Sequence, residues 1–381
     1  MPYLNDMLNA QNAKRLEEEA VVENQAATQG AAEPFKKSPP PPGVFDLPGF
    51  TDRLSRRILG QDTAINAVSR AVSLASIGVT DPHRPLANIL LVGPTGVGKT
   101  ELVRQIASEL RSGPDDLCRV DMNALAQEHY AASLSGAPPG YAGSKENFSL
   151  FDRSRIEGNP YIPGIVLFDE MEKAHPTVIR TLLQIMDNGI LRLASGQETI
   201  SFRNCYVFMT SNLGSTKVAR RRSNKRHGVT RYLQTHAPGI AAMGGQQTEE
   251  EIFQTSVKDF FDVELLNRID ETVVFSHLDS KIAHQIARNE LEVLRARLRR
   301  KSIEISIEDG VINDLVGKGF DPVFGARSLR RIIRTHVAAT VADCILGASA
   351  HARQHPLSVL VHTLDGQIHA RLHHPEKALK Q

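Results

Sequence analysis

Residues Asn88–Thr100 constrain this chain more than any other stretch. An apolar run, Asn88-Ile89-Leu90-Leu91-Val92, ends in Gly93-Pro94-Thr95-Gly96-Val97-Gly98-Lys99-Thr100, and a helical pattern begins at once behind it. The last eight residues fit G-x-x-x-x-G-K-[ST], a turn whose inward-facing N–H groups surround a phosphate with no Cβ in the way. Lys99 would reach the β- and γ-phosphate oxygens and Thr100 would hold Mg²⁺. The helix N-terminus adds its positive dipole end.

The rest of the chain repeats the strand–helix theme. Helical spacing runs from Phe50 to Val79 (Leu54, Ile58, Ile65, Val68, Val72), with a break at Ile58-Leu59-Gly60-Gln61. Behind the glycine-rich turn, Leu102, Val103, Ile106 and Leu110 recur at helical spacing. Apolar runs at Ile89–Val92, Leu117–Val120, Ile165–Phe168, Cys205–Met209 and Thr272–Phe275 predict five strands. Pro176 suits the first turn of a helix. Short apolar strands alternating with helices predict an α/β fold with a five-stranded parallel sheet covered on both faces. In such sheets ligands sit at the carboxyl ends of the strands.

After Phe275 the alternation stops. Helical patterns at 279–301, 309–317 and 326–346 precede a hairpin, Leu357–Leu364 and Gln367–Leu372, turning at Asp365-Gly366. The expected organisation is a disordered tail and Pro-rich linker over 1–49, then a large α/β nucleotide-binding domain over 50–278. A small, mostly helical domain ending in a β-hairpin follows over 279–372, and a polar tail over 373–381. Forty-five basic residues face 43 acidic ones, so global charge points to neither nucleic acid nor a membrane. The three cysteines lack metal-ligand spacing, and no apolar run approaches membrane-spanning length. A cytoplasmic protein is expected.

Three further polar features fall at strand ends. Asp169 closes an apolar strand, the usual source of a carboxylate for the Mg²⁺ of a bound nucleotide, there through water. Glu170 is suited to orient or deprotonate an attacking water. The amide of Asn212 could bond the γ-phosphate or that water, or simply form a turn. Two arginines stand apart. Arg268, just before the fifth strand, could neutralise transition-state charge in a neighbouring subunit's site, and Arg327, opening a helix of the small domain, could reach back to the γ-phosphate. Taken singly, each would also serve as a surface ion-pair residue.

These features come together in a resemblance. Gly93–Thr100, Ile165–Glu170 with Glu172-Lys173-Ala174-His175-Pro176, Phe202-Arg203-Asn204, Met209–Asn212, Leu266–Asp270 and Phe320–Arg327 resemble, in order, the second ATPase module of Clp-type AAA+ ring unfoldases. Asp81–Pro85 fits as well, and the similarity runs from about Leu59 to Gly347. It implies a homohexameric ATPase that uses ATP and Mg²⁺ to thread polypeptide substrates through a central channel. It also implies a trans-acting role for Arg268, a sensor role for Arg327, and an adenine-pocket role for the segment Ile58–Gln61, with Gly60 and Gln61 as its nucleotide-contacting residues. Gly140-Tyr141-Ala142-Gly143 matches the pore loop, whose amphipathic tyrosine holds any side chain by apolar contact. The family's usual valine after the aromatic is Ala142 here, which implies a weaker grip.

The departures matter too. The 58 residues before the match leave no room for a folded N-terminal domain and first module, so a single ring is expected and disaggregation is not. Residues 213–262 hold no clear copy of the tripeptide with which protease-partnered relatives dock, so a Clp-type peptidase partner is unsupported. Lys217, Arg220, Arg221, Arg222, Lys225 and Arg226 make a basic run without an acid over 217–227. It suits a solvated loop, an adaptor or acidic partner, or nucleic acid. Two rivals to the unfoldase therefore stand: a nucleic-acid motor or loader using residues 217–231, and an ATP-switched assembly scaffold. Tyr141, in place of basic pore residues, weighs against the first.

Overall fold

The computed structural model describes residues 46–127, 150–159, 161–192, 199–226, 248–321, 325–347 and 357–372. Gly140, Tyr141, Ala142 and Gly143 lie outside them, as do the two tails. The first described helix, α1 (Leu47–Arg57), starts three residues ahead of Phe50. Asp46 caps it, accepting the Gly49 N–H, and Pro48 sits in the first turn, where no N–H is needed. Then come α2 (Asp62–Ser76), β1 (Ala87–Val92), α3 (Lys99–Leu110) and β2 (Cys118–Asp121). Next are α4 (Arg153–Glu157), β3 (Gly164–Asp169) and α5 (Pro176–Asn188), the last with its proline in the first turn as expected. A short antiparallel pair, β4 (Ile190–Arg192) and β5 (Thr199–Ser201), leads into β6 (Cys205–Ser211). Then follow α6 (Ser215–Arg226), α7 (Glu249–Phe260), α8 (Val263–Leu266) and β7 (Glu271–Val274).

Five strands form one parallel sheet in the order β2-β3-β6-β1-β7. Every residue of β1, β3 and β6 is buried. Alternation across the pleat divides them between two cores. Ile89, Leu91, Ile165, Leu167, Tyr206 and Phe208 pack with Phe50, Leu54, Ile65 and Val68 from α1 and α2. Leu90, Val92, Val166, Phe168, Val207 and Met209 pack with Val178, Leu182 and Ile185 from α5 and Phe253 from α7. The register sets Val92 opposite Ser211, Phe168 opposite Met209 and Asp121 opposite Asp169. The polar residues following these positions therefore share one sheet edge.

Beyond β7 lie α9 (Ser280–Arg299), β8 (Ile303–Ile307), α10 (Asp309–Gly319), α11 (Ala326–Ile332), a π-turn over Ile333–Ala338 and α12 (Ala339–Leu346). The hairpin β9 (Leu357–Leu364) and β10 (Gln367–Leu372) ends the described chain, at the residues read from sequence. Strand β8 is an addition to that reading. It pairs parallel with β9, giving a three-stranded sheet in the order β10-β9-β8. Leu291, Leu315, Leu329, Val337, Val359 and Val361 fill a core of their own. Among the described residues no helix is long and apolar enough to cross a membrane.

Candidate functional site

A cleft of about 580 Å³ opens at the carboxyl edge of the five-stranded sheet. Its floor is the glycine-rich turn Thr95–Thr100, one wall carries Arg119, Asp121 and Asp169, and the roof brings Ala326, Arg327 and Arg330 from α11. Gly98 caps α3 at φ +111°, a conformation that glycine adopts freely. Lys99 and Thr100 thereby open the helix with its free N–H groups facing the cleft.

Lys99 is buried and its ammonium is fully engaged, donating to Gly93 O at 2.6 Å, Pro94 O at 2.7 Å and Asn212 Oδ1 at 2.7 Å. Burial pulls its pKa down to about 7, while Glu172, Asp169 and Glu170 pull the other way. Three acceptors require three N–H donors, so the geometry is that of the protonated form. Asn212, expected at a phosphate, is thus also the partner of Lys99.

Asp169 ends β3 and its Oδ1 accepts from the Thr210 hydroxyl at 2.5 Å and the Thr100 hydroxyl at 3.4 Å. A hydroxyl and a carboxylate side by side are the oxygen donors a hard divalent cation takes, so these residues fit Mg²⁺. Glu170 follows in the left-handed region at φ 63°, ψ 55°, its N–H bonded to Thr210 Oγ1 at 2.9 Å. That conformation costs a non-glycine residue about 1–3 kcal/mol. Both acids line the cleft. Thr210, one position beyond the strand run read from sequence, ties both acids together. Glu172 accepts the Asn212 N–H at 3.2 Å. Arg119 ion-pairs with Asp169, and no motif marks it.

Of the segment Ile58–Gln61, Ile58 and Leu59 line the cleft beside Arg57, while Gly60 and Gln61 do not. The buried Gln61 amide instead clamps Ser276, donating to its carbonyl at 2.9 Å and accepting its N–H at 3.0 Å. Gly60 packs where a Cβ would lie 2.9 Å from Ile282 of α9.

The two arginines part company. Arg327 lines the cleft from the first turn of α11. Arg268 sits at the opposite edge, where Asn88, at the start of β1, holds its carbonyl at 3.1 Å. The six residues of β1 separate that edge from the glycine-rich turn, roughly 20 Å of extended chain and beyond one side chain's reach. Its guanidinium is braced by Asp187 at 2.6 Å and Glu264 at 3.1 Å.

The α11 N-terminus rests directly on the glycine-rich turn. The Ala326 N–H donates to Gly96 O at 2.9 Å. Gly325 makes the approach possible: at φ +53°, an added Cβ would lie 2.6 Å from Gly96 O and 3.2 Å from Thr95 O. Neither backbone atom can yield cheaply. Gly325→Ala is expected to lift α11 off the turn and withdraw Arg327. At a strain of about 1–3 kcal/mol, ATP turnover should fall roughly tenfold to a hundredfold. Unchanged kinetics would show the contact to be incidental.

Comparison with known proteins identifies the architecture. Residues 84–272 match the AAA domain (Cdc48 subfamily), and residues 278–356 match the C-terminal, D2-small domain of ClpB protein. An ATP-dependent protease ATP-binding subunit-like protein of Rhodococcus erythropolis is 52% identical over 97% of this chain and 99% of its own length. The chain belongs to the Clp-type AAA+ ATPases. A relative in Pseudomonas aeruginosa, the ATP-dependent protease ATP-binding subunit-like protein AmiB, is 38% identical over 91% of this chain and 93% of its own. The chaperone protein ClpB of Vibrio cholerae is 38% identical over 77% of this chain, which spans 32% of that longer protein. Among solved structures, a closed-state reconstruction of Hsp104 with ATPγS and FITC-casein aligns with a TM-score of 0.69 at 29% identity, covering 86% of this chain and 51% of that one. Membership of this family implies nucleotide binding, and the fold expected from sequence is the one observed.

Proposed function

We propose that this AAA+ ATPase is a protein unfoldase or remodelling chaperone, working as a homohexameric ring that threads polypeptide through its pore. The observation that carries the reading is the Ala326–Gly96 backbone bond with Arg327 beside it in the cleft. A change at the phosphates has a rigid path into α11 and the small lobe. ATP's phosphates would lie along Gly93–Thr100, with Lys99 leaving its three chain acceptors for phosphate oxygens. Asn212, released by Lys99, would meet the γ-phosphate or attacking water. Glu170 would take the water's proton, and Arg327 would register the γ-phosphate from the small lobe. Thr100 and Asp169 would hold Mg²⁺, which when bound neutralises charge developing on the phosphate oxygens. Arg268, 20 Å or so from its own turn, would complete a neighbour's site. Gly60 and Gln61 would shape the base end of the cleft from behind, through Ile58 and Leu59.

Substrate contact is assigned to Gly140, Tyr141, Ala142 and Gly143 by family resemblance alone; similarity to ClpB chaperones and to an Hsp104 structure holding casein supports a polypeptide as the substrate. The basic run lies on helix α6, not in the loop expected from sequence. Its Arg222 and Lys217 are paired within the chain, with Glu249 and Asp259, which favours a protein machine over a nucleic-acid motor. The test sets ATPase rate with an unstructured protein beside the rate with single-stranded DNA. The protein should stimulate and the DNA should not; stimulation by DNA alone would overturn the reading. In the same assay Tyr141→Ala should keep its ATPase and lose substrate unfolding. Intact unfolding by that variant would remove the pore assignment.

A further inference from the structure

The two oxygens of Asp169 are used differently. Oδ1 faces the frame and accepts the Thr210 and Thr100 hydroxyls. Oδ2 is taken by Arg119, whose Nη2 donates at 2.5 Å and Nε at 3.1 Å. Arg119 comes from β2, where the register sets Asp121 level with Asp169. Its side chain is 54% exposed, so it is tethered at the carboxylate and otherwise free to turn in solvent. Among the described residues Asp169 is its one ion-pair partner.

A guanidinium on Oδ2 and a divalent cation held by Thr100 and Asp169 would put like charges a few ångströms apart around one carboxylate. They compete for it. Resting on the ATPase reading above, we propose that Arg119 is a built-in counter-ion of Asp169. It holds the carboxylate until a divalent cation arrives with the nucleotide, then releases it, and so sets how strongly nucleotide binding depends on that cation. The freed guanidinium has a second acid within its own strand: Asp121 lies two residues on, exposed on the same face and lining the same cleft. Arginine suits the task because two N–H groups of its rigid, always charged fork converge on the one oxygen, Oδ2.

The counter-ion role makes a prediction that a plain phosphate ligand does not. Without Arg119, Asp169 is an unpaired negative charge beside the phosphates. Nucleotide should then bind more weakly in the absence of the cation and more tightly in its presence. The experiment measures affinity of the full chain for a fluorescent ATP analogue in excess MgCl₂ and in EDTA, for wild type, Arg119→Ala and Arg119→Lys. The Mg²⁺-to-EDTA affinity ratio should rise roughly three- to tenfold in Arg119→Ala, the scale of a half-exposed, charge-assisted pair. Arg119→Lys, which keeps the charge, should fall between the two. An unchanged ratio in Arg119→Ala overturns the proposal. So does an equal loss of affinity in both buffers, which would make Arg119 a phosphate ligand only. A wild-type chain that binds the analogue in neither buffer would instead remove the ATPase reading beneath it.

Discussion

A chain carrying Arg268→Ala is expected to bind ATP normally yet hydrolyse it about 10³-fold more slowly or worse, the scale of a lost arginine finger. A Lys99→Ala chain should be equally inactive, because it cannot hold the phosphates. Mixed together, the two inactive chains should regain activity. In a randomly mixed ring about a quarter of the interfaces would pair an intact turn from one chain with an intact Arg268 from the next. The structural basis is the distance along β1: Arg268 is fastened at the edge where the strand starts, and the turn lies where it ends. Loss of its pairs with Asp187 and Glu264 cannot mimic the effect. Partly exposed pairs of this kind contribute about 0–1 kcal/mol, far short of a thousandfold. Two inactive variants that form rings, bind nucleotide where their turns are intact and fail to complement would place Arg268 outside the chemistry.

The second large effect is expected at Glu170. Glu170→Gln keeps the shape of the side chain and removes its basicity. Hydrolysis should fall by about 10²–10⁴-fold, while ATP affinity, measured by equilibrium binding, stays near wild type. The backbone argues for a dedicated residue, since Glu170 holds a left-handed conformation that Thr210 Oγ1 pins through its N–H. A glutamine can occupy that conformation as readily as glutamate. A variant that hydrolyses ATP at the wild-type rate would move the base role away from Glu170.

How much of this was legible beforehand depends on how local each signal is. The glycine-rich turn, the five apolar strands and the Asp365-Gly366 hairpin announce themselves within a dozen residues, and the structure keeps them. Strand β8 does not. Its Ile-Glu-Ile-Ser-Ile alternation has period two, but it sits between two helices and its partner β9 comes 54 residues later, Ile303 pairing with Leu357. Residues 190–192 and 199–201 are too short to show a period at all. At the site, Asp169, Glu170 and Asn212 were placed by their strand ends. Their partners were not: Arg119 and Thr210 meet Asp169 only because three strands lie side by side. Gln61 illustrates the same limit, since its clamp on Ser276 joins residues 215 positions apart.

The Lys99 contacts bear on how a motor of this kind lets go. Its ammonium has three oxygens of its own chain within 2.7 Å, two from the turn and one from Asn212. With Lys99 holding the phosphates as proposed, its charge would not face a dry wall alone when they leave, because the chain re-supplies the lost hydrogen bonds from within. Product departure is then close to an exchange of partners, and the barrier that would otherwise slow each cycle is lowered. The same bonds must be broken for the next nucleotide to enter, which loosens its hold. A site built this way gives up affinity at both steps and gains tempo.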